Sequence, residues 1–185
     1  MCSSDLDPNA FGWSNDKDIQ AAVAFLQRRP DVDRNRIGGI GLSVGGEMLL
    51  QTAAESEGLR AVVSDGAGAR SLREDLARPG SAKWLEIPTS AVITAGMVLF
   101  SNHGVPPNLE DLVSRIAPRP VLFIYGEHDQ PNVIDLTPAY YAAAGEPKTL
   151  WEVPGASHTG GIEARPNEYE RRVVAFLDDA LLGEG

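Results

Sequence analysis

The stretch that most constrains the fold covers residues 36–47 and has the sequence R-I-G-G-I-G-L-S-V-G-G-E. Apolar residues followed by small ones predict a short buried strand, a very tight turn and the start of a helix. The turn contains the pattern G-x-S-x-G, with Ser43 at its centre. A serine at such a turn has a strained backbone, and the residues on either side must be small to avoid a steric collision. We expect Gly41 and Gly45 to meet this requirement. The strain directs the hydroxyl out of the sheet, as a nucleophile requires.

The rest of the chain alternates predicted strands with predicted helices, which is typical of an α/β domain. Because the strands are apolar on both faces, they predict a parallel sheet that is covered by helices on both sides. We expect a single domain over residues 1–185, with a helical lid insertion at about 66–118 between two of the strands. The predicted strands lie at 36–42, 59–64, 119–125 and 149–153, and the main helices at 15–29, 44–57, 87–100, 108–116, 137–145 and 166–182.

Three local patterns add detail to this prediction. The apolar segment 87–100 is too short to span a bilayer and predicts a buried helix. Ser71 followed by Glu74 matches a capping box at the start of a short helix. Thr137 followed by Pro138 predicts a helix that begins with a threonine cap and a proline in its first position.

Chemistry-bearing residues follow three of the predicted strands. Ser43 follows the first strand, Asp129 follows the third and His158 follows the fourth. The carboxyl ends of parallel strands meet at one edge of a sheet, where the active residues of such proteins lie. The order along the chain is serine, acid and histidine. We therefore predict a catalytic site made of Ser43, Asp129 and His158.

Other residues near these positions remain as alternatives. The acid could instead be Glu127 or Asp135, and Asp65, after the second strand, is a further acid position held in reserve. We expect His128 to be a surface or lid-contact residue, because neighbouring side chains usually point apart. His103, in a proline-rich loop of the insertion, is a candidate for substrate contact.

Taken together, these motifs resemble the α/β-hydrolase superfamily, and most closely its dienelactone-hydrolase-like and acyl-peptidase-like esterase branch. The resemblance implies hydrolysis of an ester, thioester or amide through an acyl-enzyme, with no cofactor and no metal. Ser43 would attack, His158 would act as general base and then acid, Asp129 would orient the imidazole, and the Val44 N–H would donate in the oxyanion hole. The resemblance covers the chain from Gly12 onward and rests on residues 18–33, 41–46, 120–129 and 155–158.

The chain departs from that family at its N-terminus. Family members have several strands before the first helix, and a loop after one of them donates a second oxyanion N–H. We interpret the chain as N-terminally truncated, so that the fragment itself could be inactive, and residues 1–6 as non-native because Cys2–Leu6 match the translation of a sequencing adapter. The strand at 36–42 would then expose an unpaired edge, which favours self-association.

Composition limits the possible partners. The net charge of −10 and the pI of about 4.7 argue against nucleic acid or an anionic membrane. A single cysteine excludes an internal disulfide framework, and three histidines without ligand spacing argue against a metal site. No segment predicts a membrane span, and we expect a small-molecule acyl substrate as the partner.

Two further functions stay open at this point. A protein with the same fold could have lost activity and serve as a binding module, which labelling of Ser43 by a phosphonate would distinguish. An enzyme with the same catalytic residues could also be a peptidase or an acyltransferase, because all three reactions proceed through an acyl-enzyme.

Overall fold

The structure is a computed structural model that describes residues 13, 16–77, 83–100, 104–129 and 136–183, without the side chains of 83 and 86. Three predictions concern residues outside these ranges: the non-native segment 1–6, the substrate-contact candidate His103 and the alternative acid Asp135.

Helices and strands alternate along most of the described chain, as the sequence predicts. The elements are α1 (Asp16–Gln27), β1 (Gly38–Leu42), α2 (Val44–Glu55), β2 (Ala61–Asp65), α3 (Leu72–Ala77), α4 (Lys83–Phe100), α5 (Leu109–Leu112), a 3-10 helix (Val113–Ile116), β3 (Val121–Gly126), α6 (Thr137–Ala143), β4 (Lys148–Val153), α7 (Gly161–Ala164) and α8 (Pro166–Leu182).

The four strands form one parallel sheet in the order β1-β2-β3-β4. The register pairs Leu42 with Asp65, Asp65 with Ile124, and Ile124 with Trp151. The carboxyl ends of all four strands therefore lie at the same edge, which brings together the segments that follow them. The predicted class, a parallel sheet covered by helices on both faces, is confirmed.

The core lies on both faces of the sheet because successive side chains of a strand point to opposite sides. Val62 and Phe123 belong to a cluster that contains residues of α1, α2, α5, the 3-10 helix and α6. Their neighbours Val63, Leu122 and Ile124 belong to a second cluster, which contains Tyr169 and Val173 of α8. This burial on both faces explains the mainly apolar sequences of the central strands β2 and β3. The prediction that every strand is apolar and covered on both faces is wrong for the outer strands β1 and β4, which carry exposed residues such as Ile40 and Glu152 because each has a neighbour on one side alone in the described sheet.

The long segment between β2 and β3 is helical, but it is not all peripheral. Leu109, Val113 and Ile116 are buried in the first core cluster, so α5 and the 3-10 helix belong to the body of the domain. Of the described helices in this segment, α3 and α4 remain outside the main core clusters, and they pack against each other. The part of the insertion that can act as a lid is therefore α3 and α4.

The prediction that the apolar helix at 87–100 is buried is wrong. The helix forms as α4, but Leu85 is 85% exposed, Val92 73% and Phe100 80%. Apolar residues occur on several sides of this helix, whereas α3 is the element with which it makes its main contacts among the described residues. The hydrophobicity of a helix does not show how many of its sides are covered. Within the described residues, no helix is both long and apolar enough to cross a membrane.

The capping box forms only in part. The Ser71 hydroxyl accepts a hydrogen bond from the Glu74 N–H at 3.4 Å, as predicted. The Glu74 carboxylate, however, accepts from the backbone N–H groups of Arg70 at 2.6 Å and Leu109 at 2.9 Å. Glu74 therefore joins the start of α3 to the start of α5.

Thr137 is the first residue of α6 and not its cap. Leu136 occupies the cap position, so Pro138 lies in the second position of the helix and not in the first, one residue from the prediction. The Thr137 hydroxyl instead accepts a hydrogen bond from the Ala67 N–H at 3.2 Å. A long-range contact has thus replaced the expected local one.

Strand β1 forms one edge of the sheet in the described part of the chain, where it pairs with β2 alone. Ile40 and Leu42 of this strand are 49% and 46% exposed. An apolar edge with open backbone groups pairs readily with another chain.

We expect residues 1–185 expressed alone to self-associate through β1, and Ile40→Lys to raise the monomer fraction in analytical ultracentrifugation. Val105→Lys, at a comparably exposed loop position, is the control, and an equal effect of both variants would contradict this role of β1.

Candidate active site

Ser43 lies in the tight turn between β1 and α2. Its backbone has φ 52° and ψ −123°, a region that a residue with a Cβ adopts only at a cost. The Ser43 N–H donates to the Asp65 carbonyl at 2.7 Å, and the Ser43 carbonyl accepts from Gly46 at 2.9 Å and Glu47 at 3.2 Å. These bonds to β2 and to the first turn of α2 hold the strained conformation in place.

The glycines of the turn have different roles. A Cβ at Gly41 would lie 2.3 Å from the Gly45 carbonyl oxygen, and one at Gly46 would lie 2.7 Å from Ser64 Oγ. A side chain at Gly41 or Gly46 would therefore collide with a neighbouring atom, which explains why both positions are glycine. The expectation that Gly45 is crowded is wrong, because no described atom lies within 4 Å of the place its Cβ would take.

The structure brings the three residues predicted from strand ends into one chain of hydrogen bonds. His158 Nε2 lies 2.9 Å from Ser43 Oγ, and His158 Nδ1 lies 3.2 Å from Asp129 Oδ2. The side chains of His158 and Asp129 are 20% and 12% exposed. With a proton on Nδ1, the imidazole donates to the carboxylate and Nε2 accepts from the serine hydroxyl, so Ser43 can lose its proton to His158.

The loop after β4 holds the imidazole in this position. Gly66 has φ 69°, and a Cβ there would lie 3.0 Å from His158 Cε1, so the end of β2 fits closely against the ring. A Cβ at Gly126 would lie 2.6 Å from the Ala156 carbonyl oxygen, so the end of β3 fits equally closely against the loop. Thr159, next to the histidine, has φ 53°, an uncommon conformation for a β-branched residue.

Glu127, one alternative acid, has another partner. Its Oε2 accepts a hydrogen bond from the Gly155 N–H at 2.8 Å, which ties the turn after β3 to the turn after β4. His128 has a 68% exposed side chain with Nε2 3.9 Å from Glu127 Oε2, so it is the surface residue that the sequence predicts.

Asp65, the acid held in reserve, is also engaged elsewhere. Its side chain is buried, and Oδ2 accepts a hydrogen bond from the Tyr169 hydroxyl at 2.7 Å. Burial raises the pKa of the Asp65 carboxyl, while the bond from Tyr169 and the nearby His158 act in the opposite direction. Asp129 is therefore the carboxylate that the structure places against His158.

A cavity of about 550 Å³ is lined in part by Val44, the residue after Ser43, whereas Ser43, Asp129 and His158 are not among its described lining residues. The cavity lies between the first turn of α2, the segment that leads into α3, and helix α4. Its walls are mainly apolar, with buried Glu47 and Arg70 among the polar exceptions. Sequence reasoning missed these two residues, and the only signal was a glutamate one turn into a helix whose other residues are largely apolar or small.

Glu47 is 6% exposed, and its Oε1 accepts a hydrogen bond from the Gly68 N–H at 3.0 Å. Burial raises the pKa of the Glu47 carboxyl from 4.5 to about 7, although the Gly68 N–H and the Arg70 charge oppose the shift and Glu74 adds to it. The carboxyl group thus changes its charge near neutral pH.

This shift predicts a measurable pH dependence of stability. The folded protein keeps the proton on Glu47 at pH values where the unfolded chain has lost it. The contribution of this proton to the free energy of unfolding is therefore fully present below pH 4.5 and is lost as the pH rises to about 7. Relative to Glu47→Gln, which cannot ionise, the wild type should lose roughly 3 kcal/mol of unfolding free energy across this interval. Urea denaturation at several pH values measures the difference, and a constant difference between pH 4.5 and 7.5 would contradict the assignment.

With the fold and site described, comparison with known proteins identifies the family. The model of the prolyl oligopeptidase family, Peptidase_S9, matches residues 11–184, which is almost the entire chain. The chain belongs to the prolyl oligopeptidase family. Its sequence is similar to PA2218, an uncharacterized protein of Pseudomonas aeruginosa, with 27% identity over 219 aligned positions that cover 90% of this chain and 58% of the relative.

Other relatives agree on the extent of the match. YfhR of Escherichia coli K12, also uncharacterized, is 26% identical over 167 positions, which cover 89% of this chain and 53% of YfhR. This member of the prolyl oligopeptidase family thus spans little more than half the length of the curated relatives it matches.

Solved structures show the fold. The α/β hydrolase GrgF of Penicillium superimposes with a TM-score of 0.67 and 18% identity, over 92% of this chain and 73% of GrgF. The Pyrococcus furiosus esterase Pf2001 gives a TM-score of 0.68 with 20% identity, over 94% and 65% of the two chains. The crystal structure of PA2218 gives 0.67 with 22% identity, over 97% and 71%. The expected resemblance to α/β hydrolases is confirmed, and this family member has their fold.

Proposed function

We propose that this protein is a serine hydrolase that cleaves an ester, a thioester or an amide through an acyl-enzyme. The observation that carries the proposal is the hydrogen-bonded series Ser43 Oγ, His158 Nε2, His158 Nδ1 and Asp129 Oδ2, with distances of 2.9 and 3.2 Å. Each member follows a different strand of the parallel sheet. The strained backbone of Ser43 supports the same reading, because such strain concentrates at functional positions.

The reaction would proceed in two steps. In the first, the Ser43 oxygen forms a bond to the substrate carbonyl carbon while its proton passes to His158 Nε2. The tetrahedral intermediate collapses, the leaving group takes the proton from His158, and an acyl-enzyme remains. In the second, a water molecule gives its proton to His158, attacks the acyl carbon and releases the carboxylic acid together with the restored Ser43 hydroxyl. Asp129 keeps the imidazole in the required tautomer and stabilises its charged form.

The negative charge on the substrate oxygen needs donors that are already in position. The Val44 N–H is one candidate, because Val44 begins α2 and the first N–H groups of a helix have no partner within it. The positive end of the helix dipole acts in the same direction. Each donor of this kind contributes on the order of a hundredfold or more to the rate.

Esters are the first substrate class to test, because Pf2001, which shares the fold, is an esterase. The match to the prolyl oligopeptidase family favours peptide amides as the second class. The experiment compares turnover of a p-nitrophenyl ester with turnover of a peptide p-nitroanilide by the full-length gene product. We expect turnover of at least one of them, and turnover of neither would favour a binding module over an enzyme.

A further inference from the structure

The cavity beside Ser43 contains a carboxylate that the proposed reaction does not use. Glu47 lies one helical turn after the nucleophile, is almost completely buried and lines the cavity. Its Oε1 accepts from the Gly68 N–H, while its Oε2 has no hydrogen-bond partner among the described residues. Glu47 lines the cavity and its Oε2 keeps its acceptor capacity, so a ligand that enters the cavity can replace water by donating a hydrogen bond to this oxygen.

The cation on the same wall does not satisfy this oxygen. Arg70 donates through Nη1 to Gln51 Oε1 and through Nη2 to the Pro107 carbonyl. Both partners are neutral, and Arg70 Nε is buried without a partner among the described residues. Arg70 thus contributes positive charge near Glu47 while its own hydrogen bonds hold the guanidinium in another direction. The free oxygen of Glu47 remains available to a ligand.

The shape of the cavity limits what can enter. Leu85, Ile93 and Met97 from α4 and Val44 from α2 provide apolar surface. Glu47 lies one helical turn after Ser43, a rise of about 6 Å along the helix that an extended arm of roughly five bonds spans. A substrate arm that fits is therefore short and mainly apolar, with one polar group near its fifth atom.

We propose that Glu47 is a specificity residue that selects substrates whose cavity-bound arm carries an N–H or O–H donor about five bonds from the reacting carbonyl. The inference rests on the proposed function, because it takes Ser43 as the point of attack. The donor would bond to Glu47 Oε2, and an arm with an acceptor in the same place would leave two acceptors facing each other. Glu47 would thus distinguish two arms of equal size by the hydrogen-bonding group that each carries.

The charge state of Glu47 adds a second prediction for the same site. An ionised carboxylate can only accept, whereas the protonated group can also donate. The groups that face Glu47 are the Gly68 N–H and Arg70 from the loop after β2, Glu74 from α3 and Tyr140 from α6. Asp75 of α3 lines the cavity as well. Because the Glu47 pKa is raised to about 7, the preference for a donor arm should increase between pH 6 and pH 8.

The test uses two fluorophosphonates of equal length that differ at the fifth atom from phosphorus. One carries an amide N–H there and the other an ester oxygen, and both react with a catalytic serine. The rate of adduct formation is followed by intact mass in the full-length gene product at pH 6 and pH 8. We expect the amide probe to react about tenfold faster at pH 8, as for a hydrogen bond to a charged group, with a smaller ratio at pH 6. Any effect of pH on the reactivity of Ser43 itself is common to both probes and cancels in the ratio.

Three variants assign the preference to a residue. In Glu47→Gln the amide oxygen can keep the Gly68 N–H, so its NH₂ group faces the cavity and the preference should reverse toward the ester probe at both pH values. Glu152→Gln, the same change at an exposed position of β4, should keep the wild-type ratio. Asp75→Asn should also keep it, and loss of the preference there but not in Glu47→Gln would overturn the proposal.

The wild-type comparison is decisive without any variant. Equal rates with the two probes would overturn the role of Glu47 while leaving the proposed hydrolase intact. Labelling of Ser43 by neither probe would overturn the proposed function, and the inference with it.

Discussion

Ser43→Ala should lower kcat/KM for ester hydrolysis by roughly 10⁴ to 10⁶, and His158→Ala should have a similar effect. In the proposed mechanism the serine supplies the oxygen that forms the covalent bond, and His158 Nε2, 2.9 Å from that oxygen, accepts its proton. Because the proposed attack needs both groups together, kcat/KM of the double variant should be little lower than that of either single variant. Steady-state kinetics of the full-length gene product, with circular dichroism to verify folding, measure these effects.

Matched controls separate catalysis from general damage. Ser114→Ala removes an exposed hydroxyl, and His128→Ala removes an exposed imidazole next to the proposed acid. Both should retain activity within about threefold, as surface substitutions usually do. If Ser43→Ala retained activity within tenfold of the wild type, the nucleophile would have to be another residue.

Asp129→Asn should lower kcat/KM by about 10⁴ with little change in fold. The asparagine keeps the size of the side chain, but its NH₂ group can face His158 Nδ1 and favour the wrong tautomer, and the charge that stabilises the imidazolium is lost. The comparison that matters is with the two rejected acids. Asp65→Asn leaves an acceptor for the Tyr169 hydroxyl, and Glu127→Gln leaves one for the Gly155 N–H. Each should reduce activity by less than tenfold.

The ranking of these three variants is the result to examine. A loss at Asp65→Asn larger than the loss at Asp129→Asn would move the acid from the end of β3 to the end of β2. A large loss at Glu127→Gln alone would instead indicate that the turn between Glu127 and Gly155 positions the histidine.

The sequence predicts the strand ends well, because each depends on a local pattern. Short segments rich in apolar residues predict all four strands, and Ser43, Asp129 and His158 follow three of them. A parallel sheet then brings these residues together without further information. The order of strands and their register are set by contacts between distant residues, which a single sequence does not display.

Burial is where sequence reasoning failed. Helix α4 is as apolar as a core helix, yet Leu85 and Phe100 are exposed because too few elements surround it. The reverse holds for Glu47 and Arg70, two charged residues that are buried because loops and helices from distant parts of the chain enclose them. The pattern of polar and apolar residues describes the preference of each residue, and the location depends on what packs around it.

The same limit explains the local errors. The sequence predicts local caps for Thr137 and Glu74, but the Thr137 hydroxyl accepts from the Ala67 N–H, and the Glu74 carboxylate accepts from Leu109 as well as from Arg70. In both cases one partner is far away in the sequence, and a local pattern does not predict it. Gly45 was expected to relieve crowding, whereas the close contact in the turn is the one at Gly41.

The central claim is that Ser43 is a nucleophile activated by His158, and covalent labelling tests it most directly. The full-length gene product is treated with a fluorophosphonate, and the modified peptide is located by mass spectrometry. The account predicts a single adduct on Ser43, no adduct in Ser43→Ala, and at least a hundredfold slower labelling in His158→Ala but not in His128→Ala. An adduct on another residue, or labelling of the wild type no faster than that of His158→Ala, would contradict it.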